Sequence, residues 1–165
     1  MQYLDKPFNQ VVFFVAISIF LSFSSNLVRK DSIPLLAKKL EITEDIDLES
    51  YESTLLAISL DKAKDFFENG VLFIDARDEV YYNDGHIKNA MKNVFLMELI
   101  FNIEEKQTKE EPIVVYCGDP GCGDSEDLAY DLQNEGFKKL FVFKGGWLEW
   151  SAANYPADRF NEYRD

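Results

Sequence analysis

The sequence predicts an α/β domain over residues 54–158, with a parallel sheet flanked by helices, behind one N-terminal transmembrane helix. Two observations predict the domain: short apolar runs recur along this region, and segments with helical signals separate them. A third predicts the membrane helix, because residues 11–23 contain no charged side chain. With 47% hydrophobic and 15% aromatic residues, the 165-residue chain can bury a substantial core.

Residues 1–30 form the expected membrane segment. The apolar run between Phe8 and Leu27 approaches the roughly 20 residues that a helix needs to cross a bilayer. A retained single-pass anchor, a cleaved signal peptide and a buried helix of a soluble fold are the alternatives. We favour the anchor, because the run lacks a recurring polar face and Ser22–Ser24 is a poor cleavage site.

The charges beside this run predict its orientation. Lys6 precedes it, whereas Arg29, Lys30, Lys38 and Lys39 follow it, so the positive-inside rule favours a cytoplasmic domain. Residues 31–53 are expected to be an acidic linker, and residues 159–165 a C-terminal tail. The formal net charge of −13 argues against nucleic acid as a partner.

The strands of the domain are predicted from apolar runs that indicate burial on both faces. Helix starts and stops are predicted from local signals: Ser59 is a good N-cap, and Gly70, Gly85 and Gly136 each follow a helical segment. The predicted strands are Leu55–Ile58, Val71–Ile74, Ala90–Val94, Ile113–Tyr116 and Leu140–Phe143. The predicted helices are 60–69, 79–84, 95–103, 124–134 and the segment after Gly145-Gly146, in which Trp147 and Trp150 are interpreted as core aromatics.

A candidate reactive cysteine stands at the end of one of these strands. Ligands of open parallel sheets bind beyond the carboxyl ends of the strands, and Cys117 lies at that end of Ile113–Tyr116. The loop after it, residues 118–123, contains Gly118, Gly121 and Gly123 and leads into a helix. Backbone N–H groups and the helix dipole there favour a thiolate, although an ordinary buried cysteine is the alternative.

Several motifs together resemble the rhodanese-like domain family. Leu72–Arg77 followed by Gly85-His86-Ile87 looks like its first signature, and Ile113–Cys117 followed by Gly145–Trp147 looks like its second. The resemblance covers residues 55–157. It implies a compact domain around a five-stranded parallel sheet, and a cysteine that carries sulfane sulfur as a persulfide between a donor and a thiol acceptor. The matching position is Cys117.

The loop departs from the common pattern of that family. Typical relatives often carry an arginine in this loop, whereas no Lys or Arg lies between Val114 and Gln133, and Cys122 stands at the corresponding offset. Asp119 and other acidic residues of the segment disfavour thiolates, opposing the backbone N–H groups. Without that cation, phosphatase activity and thiosulfate as a donor are both disfavoured. The Cys-x4-Cys spacing resembles a variant loop of membrane-attached rhodanese-like proteins.

The two cysteines, Cys117 and Cys122, permit more than one chemistry. With the single histidine, His86, they supply three zinc ligands where about four are needed, so we expect neither a metal nor another cofactor. A structural disulfide would close only a small loop. We favour a resolving pair, in which one thiol attacks the other after it has been sulfurated or oxidised, and such a bridge needs Cα atoms about 4.4–6.8 Å apart.

Further candidates have structural interpretations. Asp75 and Arg77 match an Asp-x-Arg signature, for which an organising salt bridge is preferred to catalysis. His86 is expected to cap local structure, with a general-base role as the alternative. Lys144 is the cation that the family resemblance places nearest the site.

Three functions follow. The favoured one is a membrane-anchored sulfurtransferase whose partners are a sulfane-sulfur donor and a thiol acceptor. The second is a two-cysteine thiol or persulfide oxidoreductase that cycles Cys117 and Cys122. The third is a non-catalytic accessory subunit of a membrane complex, with which the acidic charge and the anchor are equally compatible.

Overall fold

The computed structural model describes residues 7–28, 40, 42 and 55–158. It divides the chain into two units, residues 1–39 and 40–165. Nearly all of the expected linker 31–53, and the whole expected tail 159–165, lie outside the described residues.

In the first unit, helix α1 (Pro7–Val28) has 22 residues, none of them buried. At 1.5 Å per residue it is about 33 Å long, which matches a hydrocarbon layer roughly 30 Å thick. The helix is long and apolar enough to cross a membrane, and a signal sequence near an N-terminus would have the same properties.

The second unit alternates strands with helices. Its elements are β1 (Leu56–Ile58), α2 (Leu60–Glu68), β2 (Leu72–Asp75), α3 (Glu79–Asp84), β3 (His86–Ile87), β4 (Met91–Lys92), α4 (Leu96–Glu104), β5 (Ile113–Tyr116), α5 (Asp124–Asn134), β6 (Leu140–Phe143), α6 (Gly146–Ala152) and β7 (Ala157–Asp158). Five of the strands form one sheet in the order β1-β6-β5-β2-β4, and every pairing in it is parallel. The predicted five-stranded parallel sheet is confirmed.

Strand β5 lies at the centre of this sheet, and alternate side chains enter two different cores. Ile113 and Val115 pack into a core with residues of α4 and α5, whereas Val114 and Tyr116 pack into a core with α2 and α6. All four are fully buried, which explains why the strand is apolar at every position. Complete burial of each aliphatic side chain contributes about 1.5–3 kcal/mol.

Local signals set the element boundaries. The Ser59 hydroxyl accepts a hydrogen bond from the backbone N–H of Lys62 at 3.3 Å, as expected of an N-cap. Gly70, which follows α2, has a φ of 75°, a conformation that favours glycine.

A second, two-stranded sheet was not predicted from the sequence. Strands β3 and β7 pair antiparallel, with His86 opposite Asp158 and Ile87 opposite Ala157. Each strand has only two residues, too few for a period-2 pattern to be recognised. This pairing joins the residues after α3 to those that follow α6.

Candidate active site

Cys117 directly follows strand β5, and helix α6 contacts its backbone. The sulfur-bearing residue is only 3% exposed. Its backbone carbonyl accepts a hydrogen bond from Trp147 N–H at 2.8 Å, and the carbonyl of Gly118 accepts one from Leu148 N–H at 2.9 Å. The first turn of α6 therefore fixes the backbone on which the cysteine sits.

Gly146 makes this close approach possible. Its φ is 58°, and a Cβ atom placed on it would lie 2.5 Å from the Cys117 carbonyl oxygen and 3.0 Å from the Gly118 carbonyl carbon. No side chain fits in this space without displacing the cysteine backbone. The contact with the backbone of Cys117 and Gly118 thus explains why the second residue of the Gly145-Gly146 pair is a glycine.

Cys117 and Cys122 form a disulfide. Their Cα atoms are 6.1 Å apart, within the range that a bridge requires. The intervening loop is stabilised by two bonds to Asp119, whose backbone carbonyl accepts from Cys122 N–H at 3.1 Å and whose Oδ1 accepts from Gly121 N–H at 2.7 Å. The loop thus holds the two sulfurs where an intramolecular thiol exchange would occur.

Asp124, the first residue of α5, belongs to the acidic segment that is expected to disfavour thiolates, and its side chain lies at the two sulfurs. Its Oδ2 lies 3.5 Å from Cys122 Sγ and 3.9 Å from Cys117 Sγ. Neither sulfur of a disulfide carries a proton, so these are close contacts; after reduction the same oxygen can accept a hydrogen bond from either thiol. Asp124 follows Gly123, which occupies the N-cap position of α5.

The three residues also form the candidate metal-ligand group of the described part of the chain. One ligand atom from each of Cys117, Cys122 and Asp124 lies within 4.8 Å of the other two. The third ligand atom of this group comes from Asp124, not from His86, the third ligand that the sequence offers. Because disulfide sulfurs are not thiolates, this group fits a metal ion only in its reduced form.

The disulfide opens onto a cleft of about 480 Å³. Its walls combine aromatic and apolar side chains with several carboxylates. It is lined by Arg77, Asp78, Tyr81, Cys117, Gly118, Asp119, Cys122, Asp124, Trp147, Leu148 and Ser151. Trp147, predicted to be a core aromatic, packs against the core that contains Trp150 and also borders this cleft. Trp150 is fully buried and donates from its indole N–H to the Pro156 carbonyl at 2.9 Å.

Asp75, Arg77 and Tyr116 form a buried network beneath the cleft. The guanidinium of Arg77 donates to both carboxylate oxygens of Asp75, with Nε–Oδ1 of 2.9 Å and Nη2–Oδ2 of 2.6 Å, and to the Gly85 carbonyl at 2.7 Å. The Tyr116 hydroxyl donates to Asp75 Oδ2 at 2.8 Å and accepts from Ile87 N–H at 3.0 Å. This pairing satisfies a carboxylate that is fully buried.

The network shifts two ionisation equilibria. Burial by itself lowers the pKa of Arg77, but the hydrogen bonds to Asp75 and the charge of that carboxylate outweigh it, so the net pKa is raised. Burial, followed by the negative charge of Asp75, raises the pKa of Tyr116 well above its ordinary value of 10.0. At neutral pH, Arg77 is therefore a cation and Tyr116 a neutral hydroxyl.

Two other residues singled out in the sequence lie away from the lining of the cleft. The His86 ring stacks on Tyr82 with centroids 3.7 Å apart, and its Nδ1 lies 2.9 Å from the Tyr82 carbonyl. Lys144 forms an ion pair with Glu126. Among the described residues, the cation that lines the cleft is Arg77, not Lys144.

Comparison with known proteins bears on the same region. The family model of the rhodanese-like domain matches residues 59–153, which include four of the five strands of the parallel sheet, the cysteine loop and the described lining of the cleft. The chain belongs to the rhodanese-like domain family. Within this rhodanese-like domain, Cys117 lies at the strand end where the sequence resemblance placed it.

Curated relatives of the rhodanese-like domain carry two different names. The chain is 33% identical over 88 residues to a thiosulfate sulfurtransferase of Coxiella burnetii, covering 53% of this chain and 78% of that protein. It is 34% identical over 84 residues to a tRNA uridine(34) hydroxylase of Hamiltonella defensa, covering 48% of this chain but only 23% of that protein. The second likeness thus concerns a small part of the hydroxylase.

Solved structures agree with the fold of the rhodanese-like domain. A rhodanese-like domain of an Anabaena protein, solved by solution NMR, is 27% identical, with a TM-score of 0.53 over 65% of this chain and 81% of that chain. A Helicobacter pylori protein is 17% identical, with a TM-score of 0.54 over 66% and 96% of the two chains, and shares the fold alone.

Proposed function

We propose that this protein is a membrane-anchored sulfurtransferase that carries sulfane sulfur as a persulfide on Cys117 and resolves it with Cys122. The observation that carries the proposal is the bond between these two sulfurs in the lining of a cleft. The family and the name of the Coxiella burnetii relative support sulfur transfer as the reaction class. The Cys-x4-Cys spacing, which resembles a variant loop of membrane-attached rhodanese-like proteins, supports a second, resolving thiol.

Loading begins with the reduced pair. The Cys117 thiolate attacks the outer sulfur of a persulfide donor, the donor's S–S bond breaks, and the donor leaves as a thiolate. Helix α5 begins at Asp124, beside the two sulfurs, and its dipole favours negative charge at this end. This step exchanges one S–S bond for another and needs no added oxidant.

The Cys117 persulfide then has two fates. An external thiolate can attack its outer sulfur, releasing Cys117 as a thiolate and carrying the sulfur away. Alternatively, Cys122 attacks Cys117 Sγ, which forms the disulfide and expels hydrosulfide. In this second branch the sulfane sulfur is reduced, the two cysteines are oxidised, and an external thiol is needed to restore them.

A thiol–disulfide oxidoreductase is the second candidate function, favoured by the same disulfide. In that function one cysteine thiolate attacks a substrate disulfide and displaces the first substrate thiolate, and the other cysteine then displaces the second, so the Cys117–Cys122 disulfide forms without a sulfane donor. The hydroxylase name of one relative is not proposed for this chain, because the match spans 23% of that protein and an acidic cleft disfavours RNA.

Mass spectrometry after exposure to a persulfide donor tests the proposal. The Cys122→Ser variant is expected to accumulate one additional sulfur atom on Cys117, because the resolving thiol is absent. The Cys117→Ser variant is expected to gain none. A wild-type protein that only cycles between dithiol and disulfide, with Cys122→Ser never sulfurated, would support the oxidoreductase instead and refute the carrier role.

The membrane part of the proposal rests on α1, which we take to be a retained single-pass anchor with the rhodanese-like domain on the cytoplasmic side. Alkaline extraction is expected to leave the protein with the membrane, and a protease added to inside-out vesicles is expected to remove the domain. A soluble protein shortened at its N-terminus would instead indicate a cleaved signal. If the domain were protected from the protease in such vesicles, it would lie on the opposite side of the membrane from the one proposed.

A further inference from the structure

The charges around the cleft are unbalanced. Among the described residues, its lining contains one cation, Arg77, and three carboxylates, Asp78, Asp119 and Asp124. One positive and three negative charges leave a net charge of −2 beside the disulfide. Asp124 is in contact with both sulfurs, at 3.5 and 3.9 Å. A molecule that reacts at these sulfurs therefore meets an excess of negative charge.

Arg77, the cation of this described lining, already donates hydrogen bonds to other protein groups. Arg77 is 7% exposed and donates to both oxygens of Asp75, which is fully buried, and to the Gly85 carbonyl. Its guanidinium also lies over the Trp147 ring, with 5.3 Å from Cζ to the ring centroid. An anion bound by Arg77 would have to compete with a buried carboxylate that needs the same donors. Arg77 thus does not offset the negative lining for an incoming substrate.

The remaining walls also suit a cation. Tyr81 is 59% exposed and, with Trp147 and Leu148, forms the aromatic and apolar part of the lining. Exposed aromatic faces attract ammonium and guanidinium groups. The cleft thus offers carboxylates and aromatic rings to a positive charge within reach of the disulfide. At about 480 Å³, it is within the size range of ligand pockets.

We propose that the cleft selects sulfur donors and acceptors that carry a positive charge close to the reacting sulfur. Asp78 and Asp119 are the specificity-determining residues, acting with Asp124. Small aminothiols and protein cysteines flanked by Lys or Arg share this chemistry. The inference rests on the proposed function for its biological meaning, but the charge preference belongs to the cleft and can be measured on the disulfide alone.

The test compares three thiols of similar length as reductants of the Cys117–Cys122 disulfide. Cysteamine is cationic, 2-mercaptoethanol is neutral and 2-mercaptoethanesulfonate is anionic. In each case one thiolate attacks a cysteine sulfur, the other cysteine leaves as a thiolate, and a second thiol molecule completes the reduction. Each rate is divided by the rate of the same thiol with a neutral small-molecule disulfide, which removes differences in intrinsic reactivity.

The expected order of the normalised rates is cationic, then neutral, then anionic, with about three- to tenfold between successive thiols at low salt. Higher salt is expected to compress this spread. Asp78→Asn combined with Asp119→Asn is expected to bring the three rates to within about twofold of each other. Both changes are conservative, since Asp119→Asn keeps a side-chain oxygen for Gly121 N–H, and Asp78 makes no side-chain cap of α3.

Asp61→Asn combined with Asp131→Asn is the matched control. It changes the net charge of the protein by the same amount, at residues that do not line the cleft, and is expected to preserve the spread. Equal normalised rates for the three wild-type thiols, or an equal loss of spread in the control, would overturn the inference. A failure of Cys117 to accept sulfur would overturn the proposed function while leaving these rates unchanged.

A second arm distinguishes the sources of the positive charge. Peptides with a cysteine between two lysines, or between two glutamates, are compared with cysteamine in the same assay. A lysine peptide that is faster than cysteamine identifies a basic protein segment as the preferred partner. A lysine peptide that is slower than cysteamine, yet faster than the glutamate peptide, identifies a small aminothiol. No difference between the two peptides would contradict the inference for protein partners.

Discussion

At the scale of single residues, Gly146 controls the position of Cys117 without any side chain of its own. It combines a left-handed backbone with a separation too small for a Cβ atom. Glycine signals are visible in a sequence, but the reason for this one is a contact with a residue 29 positions earlier. Such a contact depends on how the sheet brings β5 and α6 together, so the sequence could indicate Gly146 but not what it contacts.

Gly146→Ala is expected to destabilise the domain by about 2–4 kcal/mol, from backbone strain and displacement of the cysteine loop. Urea unfolding followed by tryptophan fluorescence measures this loss. Gly70→Ala is the matched control, because Gly70 also has a positive φ, of 75°, but a Cβ atom added there would have no neighbouring atom within 4 Å. Equal losses of unfolding free energy in the two variants would show that the close contact between Gly146 and Cys117 adds nothing to the cost of the substitution.

Tyr116→Phe is expected to cost about 1–3 kcal/mol, because it removes a donor to Asp75 and leaves Ile87 N–H without its partner. The same urea assay measures the change. Tyr130→Phe serves as the control, since that residue is 43% exposed, and its loss should stay within about 0.5 kcal/mol. If Tyr116→Phe left the free energy of unfolding unchanged, the hydroxyl would not be needed to satisfy Asp75.

The raised pKa of Tyr116 also predicts a pH dependence. Below the unfolded pKa, near 10, the hydroxyl is protonated in both states and its stabilisation is complete. Above it, the unfolded chain loses the proton while the folded protein keeps it, so stability falls as pH rises towards the folded pKa. The stability advantage of wild type over Tyr116→Phe should therefore shrink above about pH 10. An advantage that stays constant from about pH 8 to 11 would contradict this.

At the scale of secondary-structure elements, most of the second unit was predictable, because its signals are local. Four successive apolar residues indicate the two-sided burial of strand β5, and Ser59 marks the start of α2. Strands β3 and β7 were missed, since pairing between two-residue segments about 70 positions apart leaves no periodic signal. Lys144 was expected near the site from the family resemblance, and it forms an ion pair with Glu126 of α5, a tertiary contact that no local pattern marks.

The cysteine pair was predictable, but its surroundings were not. Spacing within one loop indicated that Cys117 and Cys122 could meet. The cleft, however, is also lined by residues of distant segments, which include Asp78, Tyr81 and Leu148. Their convergence depends on tertiary packing, and no local pattern marks it.

Helix α5 begins with an acidic residue whose two effects oppose each other. Asp124 complements the helix dipole but disfavours thiolates beside it. Asp124→Asn is expected to accelerate reduction of the disulfide by dithiothreitol about tenfold, because a charge interaction of roughly 1–2 kcal/mol with the leaving thiolate is removed. Asp131→Asn, later in the same helix, is the control. A slower reduction of Asp124→Asn would assign the carboxylate a favourable role instead.

At the scale of the whole molecule, 30 acidic and 17 basic residues give a formal net charge of −13. Self-repulsion of this charge opposes folding, and salt screens it. Raising sodium chloride to about 0.5 M is expected to raise the Tm by roughly 2–4 °C in neutral detergent. The two tryptophans, Trp147 and Trp150, both lie in α6 and report the melting of the second unit. In the Asp61→Asn and Asp131→Asn double variant, the same salt should raise the Tm by less than in wild type. An equal increase would indicate a specific effect of the salt ions instead of charge screening.

The contact between Gly146 and Cys117 has a consequence in time. Cys117 is synthesised before the residues that support it, and at about 5–20 residues per second the 29 residues up to Gly146 take roughly 1–6 s. Until then the chain contains both cysteines, but neither α6 to position Cys117 nor Trp147 to border the cleft. The proposed charge preference is therefore completed only after α6 has been made, and a chain truncated before Gly145 would keep both thiols and lose the contacts that hold Cys117.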